Sequence, residues 1–203
     1  MKDELLATFQ RVGRFGPRKQ QRQEQVSPAE EPVTKAPDDL DASDAGPLAS
    51  GPGATTLVRA PLDGTIVDLA QVEDPAFARG MIGPGIAIAP TSTTIVSPLA
   101  GTVVLLFATK HAVAIMSPTG VEVLVHVGMD TVQLKGAGFE AHVTRGQEVQ
   151  VGTPLITFDP AVIASAGHPL TTPVVVTNAK KFGAPVVVAE GQISAGNDLF
   201  TVA

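Results

Sequence analysis

Two histidines fifteen residues apart are the side chains in this sequence best suited to chemistry. His126 ends an aliphatic run that begins at Val121, and His111 lies two residues after the hydroxyl of Thr109. An imidazole is partly neutral near pH 7, so it can act as a nucleophile without a separate strong base. A lone histidine is more often a packed side chain that bonds a backbone carbonyl, so its neighbours must decide between packing and function.

A hairpin is the element that would position these residues. Alternating apolar residues predict one strand over residues 112–115 and another over residues 121–126. The segment Ser117-Pro118-Thr119-Gly120 between them is typical of a turn. Since the turn closes one end of the hairpin, His111 and His126 must lie at the other end, together with Thr109.

The composition restricts the classes of protein to which the chain can belong. The chain has 203 residues, no cysteine and a formal net charge of −6, so disulfides and thiolate chemistry are excluded and nothing favours nucleic acid as a partner. Residues 81–109 include no charged side chain, but several prolines interrupt this run. This run therefore favours β-strands over a membrane-spanning helix.

The first 56 residues differ in composition from the rest. Residues 1–22 are basic and carry Leu5, Phe9 and Val12 on one helical face, which indicates either a short amphipathic helix on a membrane surface or an unstructured basic tail. Residues 23–56 are rich in Pro, Asp, Glu, Ala and Gly and have the composition of a linker. We expect a disordered tail and linker over residues 1–56 and a folded domain over residues 57–203.

Short apolar runs separated by turn residues predict an all-β domain, a sandwich or barrel of many short strands. Two segments of the domain recur in the sequence. Residues 61–67, PLDGTIV, return as residues 98–104, PLAGTVV, and the spacing Val149-x-x-Gly152-x-x-Leu155 returns as Ile193-x-x-Gly196-x-x-Leu199. These echoes indicate a duplicated hairpin motif around a common core.

Several segments of the folded part also match a known family. They are the run Gly120–Val132 with Thr-x-His fifteen residues before its histidine, APLDG at 60–64, GPGIAI at 83–88, LKGAGF at 134–139 and LTTPVVV at 170–176. Over residues 57–203 the chain resembles the glucose-family IIA component (EIIA, type 1) of the bacterial phosphoenolpyruvate-dependent sugar phosphotransferase system. The resemblance implies an antiparallel β-sandwich.

The resemblance also implies a function, that of a phosphotransferase component in the cytoplasm that supports sugar uptake. His126 would accept the phosphoryl group from the phosphocarrier protein HPr and pass it to the IIB domain of a sugar permease. A backbone carbonyl near Gly128 would hold Nδ1–H of His126, His111 would bond the phosphoryl oxygens, and Thr109 would orient the pair. Binding of other permeases or metabolic enzymes would depend on the phosphorylation state.

A docking surface for the partners is implied around His126. Its acidic members, Asp74 and Asp130, would pair with an arginine of the donor. Its apolar members, which core packing alone would also explain, are Phe77, Met81, Ile82, Phe107, Leu124 and Val132. The chain departs from the commonest family pattern at Lys110, where Asn is frequent.

Three alternatives to the carrier function remain open from the residues. A zinc hydrolase would need a third well-spaced ligand beside His111 and His126, and we expect no intrinsic metal or cofactor, only zinc at a partner interface. A biotinyl or lipoyl carrier would need an exposed lysine, for which Lys180-Lys181 is the nearest candidate. A regulatory binding protein is compatible with the carrier. We expect His142 and His168 to be surface residues, and the identity of the sugar is not encoded because IIA does not touch it.

Overall fold

The structure, a computed structural model, describes residues 55–203. The predicted basic segment and the linker as far as residue 54 lie outside these residues. Thr56, which the composition assigned to the linker, is instead the first residue of a strand. It pairs with Val202, and its hydroxyl lies 2.7 Å from that of Thr119, so this residue belongs to the sheet.

The domain consists of short strands joined by turns, with three short helices. The strands are β1 Thr56–Arg59, β2 Gly64–Val67, β3 Gly85–Pro90, β4 Thr94–Val96, β5 Gly101–Leu106, β6 Ala112–Met116, β7 Glu122–His126, β8 Phe139–Ala141, β9 Glu148–Val149, β10 Pro154–Phe158, β11 Thr172–Val176, β12 Val186–Val187, β13 Gln192–Ile193 and β14 Asp198–Val202. The helices are α1 Pro75–Ala78, α2 Pro160–Ser165 and α3 Ala179–Phe182, and Leu69–Gln71 and Thr131–Leu134 form 3₁₀ turns.

The strands form one large sheet and two small ones. The eight-stranded sheet has the order β13-β2-β3-β11-β7-β6-β5-β9, and the three-stranded sheets have the orders β1-β14-β12 and β4-β10-β8. Every strand pair recorded in residues 55–203 is antiparallel. The predicted all-β antiparallel fold is therefore confirmed.

The core lies against both faces of the central strands of the large sheet. All five residues of β11 are buried, as are the last four of β7 and the first four of β6. One face of these strands contributes Val113, Val125 and Val174 to the main cluster, which Phe200 of β14 joins from a small sheet. Burial on both faces holds the β6–β7 hairpin in a fixed position, which is what a site at its open end requires.

The two sequence echoes fold in equivalent ways. Each Pro-Leu-x-Gly-Thr segment leads into a strand of the large sheet, β2 or β5, and each echoed glycine turn joins a strand of that sheet to a strand of a small sheet. Equivalent backbone bonds tie the two halves together, namely Arg59 N–H to Pro98 C=O (2.8 Å), Val96 N–H to Pro61 C=O (2.8 Å), Gly196 N–H to Ala60 C=O (2.9 Å) and Gly152 N–H to Ser97 C=O (2.9 Å). The reciprocal pattern indicates an approximate two-fold relation between the halves.

Candidate functional site

His126 is the last residue of β7 and pairs with Ala112, the first residue of β6. Its side chain is 5% exposed, and its Nδ1 lies 2.8 Å from the carbonyl oxygen of Gly128. Because a carbonyl can only accept, Nδ1 carries the hydrogen. In the neutral ring Nε2 therefore has a free lone pair, so the bond leaves a potential nucleophile at the open end of the hairpin.

The loop after β7 holds that carbonyl in place. Gly128 has φ 68°, and a Cβ built there would lie 2.7 Å from the Pro169 carbonyl oxygen and 2.8 Å from Cγ2 of Thr131. Glycine is thus required both by the left-handed backbone and by the close approach of its neighbours. The buried Thr131 hydroxyl donates to the Val127 carbonyl at 2.7 Å, which fixes the loop from its other side.

His111 faces His126 across the hairpin. The two ring centroids are 4.8 Å apart and the rings are nearly perpendicular, at 79°. Nδ1 of His111 lies 2.6 Å from the hydroxyl of Thr109, and the backbone carbonyl of His111 accepts the N–H of Val127. His111 has no exposed surface, and its Nε2 is the one buried side-chain nitrogen or oxygen without a hydrogen-bond partner in the part of the chain that the structure describes.

A phenylalanine packs against each imidazole. The ring of Phe77 in α1 lies 5.1 Å from that of His126, and the ring of Phe107 lies 5.0 Å from that of His111. Asp74 caps α1 by accepting the N–H of Ala76, so the helix that carries Phe77 is held at its first residue. The two aromatic rings exclude water from the sides of the histidine pair.

Burial keeps both histidines neutral at pH 7. Burial, and next the neighbouring His126, lower the pKa of His111 from 6.5 to about 3. Burial also lowers the pKa of His126 from 6.5 to about 4, although the bond to Gly128 and the carboxylates of Asp74 and Asp130 act in the opposite direction. A neutral imidazole has the lone pair that a nucleophile needs.

The residues predicted for partner docking lie at different depths around the pair. Asp130 and Met81 are exposed, Met81 by 59%, while Asp74, Phe107 and Val132 are half-buried. The remaining three are buried, and they are Phe77, Ile82 and Leu124. Leu124 has no exposed surface, so this member of the predicted docking surface could not touch a partner directly and would support the surface from beneath.

Sequence reasoning missed two features of the site. Phe77 and Phe107 were predicted as docking residues, but the packing of each ring against an imidazole was not predicted. Lys110 has φ 58°, a left-handed conformation that no local pattern predicts for lysine. The segment Asp74-Pro75 did carry a local signal, since Asp at the cap followed by Pro is typical of a helix start.

The remaining candidates lie apart from the pair. His142 is exposed, with Nε2 2.7 Å from the Thr157 hydroxyl, and His168 is half-buried. Lys180 and Lys181 are exposed in α3. Within residues 55–203 no group of three or more His, Cys, Asp or Glu side chains is arranged to hold a metal ion, so the third ligand of a hydrolytic zinc site is missing there.

A β-domain with two facing imidazoles, one presenting an unprotonated Nε2, has the features of a histidine-based carrier. Residues 56–182 match the sequence profile of the phosphoenolpyruvate-dependent sugar phosphotransferase system EIIA 1 family. The chain belongs to this family. No helix among the residues described here is both long enough and apolar enough to cross a membrane.

Individual relatives agree with the family match. The chain is 50% identical over 150 residues to the glucose-specific EIIBCA component of Corynebacterium glutamicum, covering 74% of this chain and 22% of that protein. It is 49% identical over 122 residues to the glucose-specific EIIA component of Halalkalibacterium halodurans, covering 60% of this chain and 70% of that one. The glucose permease IIA of Mycoplasma capricolum aligns with a TM-score of 0.67 and 39% identity, over 72% of this chain and 95% of that chain.

The relatives are of two lengths. The chain spans 22% of the glucose-specific EIIBCA component of C. glutamicum and 24% of the β-glucoside-specific EIIBCA component of H. halodurans. It spans 70% of the H. halodurans EIIA component and 79% of that of Bacillus cereus. The likeness to EIIBCA proteins is therefore a likeness to one part of them.

Proposed function

We propose that the chain is a phosphoryl carrier of the sugar phosphotransferase system, with Nε2 of His126 as the acceptor atom. The observation that carries the proposal is the bond from Nδ1–H of His126 to the Gly128 carbonyl, which leaves the Nε2 lone pair beside the ring of His111. We assign the transfer to the domain that begins at Thr56, and we place it in the cytoplasm.

The transfer consists of two displacements at phosphorus. In the first, Nε2 of His126 attacks the phosphoryl group of the donor HPr, so the donor's P–N bond breaks as a new P–Nε2 bond forms. In the second, a cysteine thiolate on the IIB domain of a sugar permease takes the group, and the P–Nε2 bond breaks. Because phosphoryl transfer has a loose transition state, the protein acts mainly by positioning groups and stabilising charge.

His111 is proposed to stabilise the transferred group without carrying it. If the Thr109 hydroxyl donates to Nδ1 of His111, the hydrogen of the neutral ring lies on Nε2, the buried nitrogen without a partner. A phosphoryl oxygen would be the acceptor that this N–H lacks. A hydrogen bond to a charged group contributes about 1.5–3 kcal/mol, which is small enough for the group to be released again. Thr109 thus orients His111 and through it the phosphoryl group.

Docking would use the exposed and half-buried residues around the pair. Met81, Phe107 and Val132 supply apolar surface, and Asp74 and Asp130 supply negative charge that steers a basic donor. A phosphoryl group adds about two negative charges to this surface. Binding of other permeases or metabolic enzymes would therefore change with the phosphorylation state.

Transfer as proposed needs no cofactor. Nε2 of His126, and Nε2 of His111 once its hydrogen has moved to Nδ1, would offer zinc two ligands, fewer than the four of a structural site or the three of a catalytic one. Zinc would therefore be held only where a partner supplied the missing ligands. The prosthetic-group carrier is not favoured, because Lys180 and Lys181 lie in a helix and not at the tip of a hairpin.

The test is phosphorylation with phosphoenolpyruvate and the two general upstream proteins. We expect one phosphate per chain, labile in acid, on His126, and none in His126→Gln. His142→Gln is the matched control, because it removes an exposed histidine that bonds Thr157 instead of either imidazole of the pair, and it should label at the wild-type rate. Normal labelling of His126→Gln, or a mass increase that fits a prosthetic group, would overturn the proposal.

A further inference from the structure

Three residues other than glycine have a positive φ in residues 55–203. They are Lys110 (58°), Asp130 (55°) and Lys135 (52°), and all three are charged and exposed. All three also lie in the two loops next to the histidine pair, Lys110 before β6 and the other two after β7. Left-handed backbone is unfavourable for a residue with a Cβ, and such residues concentrate at functional sites.

Lys110 is held in a tight turn beside His111. Its N–H donates to the Phe107 carbonyl at 2.8 Å, and the N–H of Phe107 donates to the Ala112 carbonyl at 3.1 Å. The same turn presents Phe107 to the ring of His111 and Thr109 to its Nδ1. The flexible stem of Lys110 therefore starts one residue from the buried imidazole, and the residue is exposed.

Charged residues of both signs lie in the segments around the pair. Asp74 and Asp130 are close enough to His126 to act on its charge. Lys110 adjoins His111 in the chain, and Lys135 precedes Gly136, where an added Cβ would lie 3.7 Å from the Thr109 carbonyl oxygen. A phosphoryl group on His126 would be repelled by the two carboxylates and attracted by a lysine that reaches it from the turn before β6.

We propose that Lys110 is a phosphate-attracting residue, whose ammonium group offsets the repulsion between a phosphoryl group on His126 and the carboxylates of Asp74 and Asp130. The inference rests on the proposed carrier function and adds to it. Lysine at this position, where Asn is frequent in the family that the chain resembles, favours the phosphorylated state of this carrier. A partner that takes the phosphoryl group must therefore work against this attraction.

The test is a ³¹P NMR titration of the full-length chain phosphorylated with phosphoramidate. In this reaction the P–N bond of phosphoramidate breaks, a P–Nε2 bond forms on His126, and ammonia leaves, so no partner protein is needed. A nearby cation lowers the pKa of a phosphoryl group because it favours the dianion. We expect Lys110→Gln to raise this pKa by about 0.3–0.5 at low salt, the size of a solvent-screened interaction over roughly 6 Å.

Two further variants separate charge from structure. Lys110→Arg keeps the charge and should restore the wild-type titration, and Lys181→Gln removes an exposed lysine of α3 and should leave it unchanged. The effect of Lys110→Gln should become smaller at high salt, because exposed charges are screened. Equal titrations of wild type and Lys110→Gln, or a shift that Lys110→Arg shares, would overturn the inference.

The outcomes also separate the inference from the proposed function. If His126 of the wild-type chain accepted phosphate from neither phosphoramidate nor HPr, the carrier function itself would be contradicted. A chain that is phosphorylated on His126 but titrates identically in all four forms would contradict only the function of Lys110.

Discussion

At the turn end of the β6–β7 hairpin, polar groups bond one another. Asn178 accepts the N–H of Glu122 at 3.0 Å and donates to the Gly120 carbonyl at 2.8 Å, while the Thr177 hydroxyl donates to the Glu122 carboxylate at 2.6 Å. At the other end, Nε2 of His111 is buried without a partner, a condition that no other side-chain nitrogen or oxygen in residues 55–203 shares. One hairpin thus has a fully bonded end and an end with an unused donor or acceptor.

The backbone differs between the two ends in the same way. The three left-handed residues other than glycine in the described domain all lie beside the histidine pair, whereas the left-handed residue of the 117–120 turn is Gly120, with φ 91°. Strain and an unpaired polar atom both reduce stability. Their confinement to one end indicates that the turn end stabilises the hairpin, while the open end is arranged to receive a group from outside.

The largest effect is expected from the glycine that shapes the open end. Gly128→Ala places a Cβ within 2.8 Å of two neighbours in a left-handed backbone, and we expect it to reduce the free energy of unfolding by about 3 kcal/mol. Gly152→Ala is the matched control, because φ there is also positive, at 83°, and a Cβ would meet nothing within 4 Å. It should cost about 1 kcal/mol.

Urea unfolding measures both variants, and phosphate uptake is measured on the folded fraction. Gly128→Ala should also slow uptake, because its carbonyl holds Nδ1 of His126. Equal losses of stability in the two variants would mean that the close contacts around Gly128 relax freely, and that the open end is less rigid than the structure indicates.

The next prediction compares one variant at each end of the hairpin. His111→Gln should still accept phosphate but pass it to a IIB domain about 100-fold more slowly, the usual effect of losing one donor to a developing charge. Asn178→Ala should transfer at the wild-type rate but lose about 1–3 kcal/mol of stability, because two backbone groups of the turn lose their partner. Rapid-quench transfer assays and urea unfolding would be run on both variants.

A slow transfer step in Asn178→Ala would show that the two ends do not act independently. A wild-type transfer rate in His111→Gln would contradict the function proposed for the unpaired Nε2 of His111. Either result would contradict the division between a stabilising end and a reactive end.

The sequence predicted the hairpin because its signals are local. Alternating apolar residues on either side of Ser117–Gly120 define the strands and the turn, and their antiparallel pairing brings His111 and His126 together. The all-β class followed from the same kind of signal repeated along the chain. The echoed segments predicted a duplicated hairpin motif, and the approximate two-fold relation between the halves became visible only in the backbone bonds that join them.

Other features were not predictable because they depend on contacts between distant segments. Leu124 lies on the same face of β7 as Glu122 and His126, and only the tertiary packing of that face leaves it with no exposed surface. The packing of Phe77 on His126 depends on where α1 lies against a strand almost fifty residues later in the sequence. The left-handed lysines follow from how two loops close around the site, and no local pattern encodes that.

The last prediction concerns the dependence of stability on pH, which follows from the burial of the same two rings. Their folded-state pKa values, about 3 for His111 and about 4 for His126, lie below the unfolded value of 6.5. The unfolded chain therefore binds more protons below pH 6.5, so stability is greatest above that pH and falls as the pH decreases towards 4.

Between pH 7 and pH 5 each ring should contribute a loss of about 1–2 kcal/mol. Urea unfolding of His126→Gln should show a smaller loss over this interval than wild type, because one of the two buried rings is gone and an amide can still donate to the Gly128 carbonyl. His142→Gln should lose as much as wild type, since it removes a ring that is already in solvent. Identical pH profiles for wild type and His126→Gln would mean that water reaches the pair in the folded state. The open end of the hairpin would then be more accessible to water than the 5% exposure of His126 indicates.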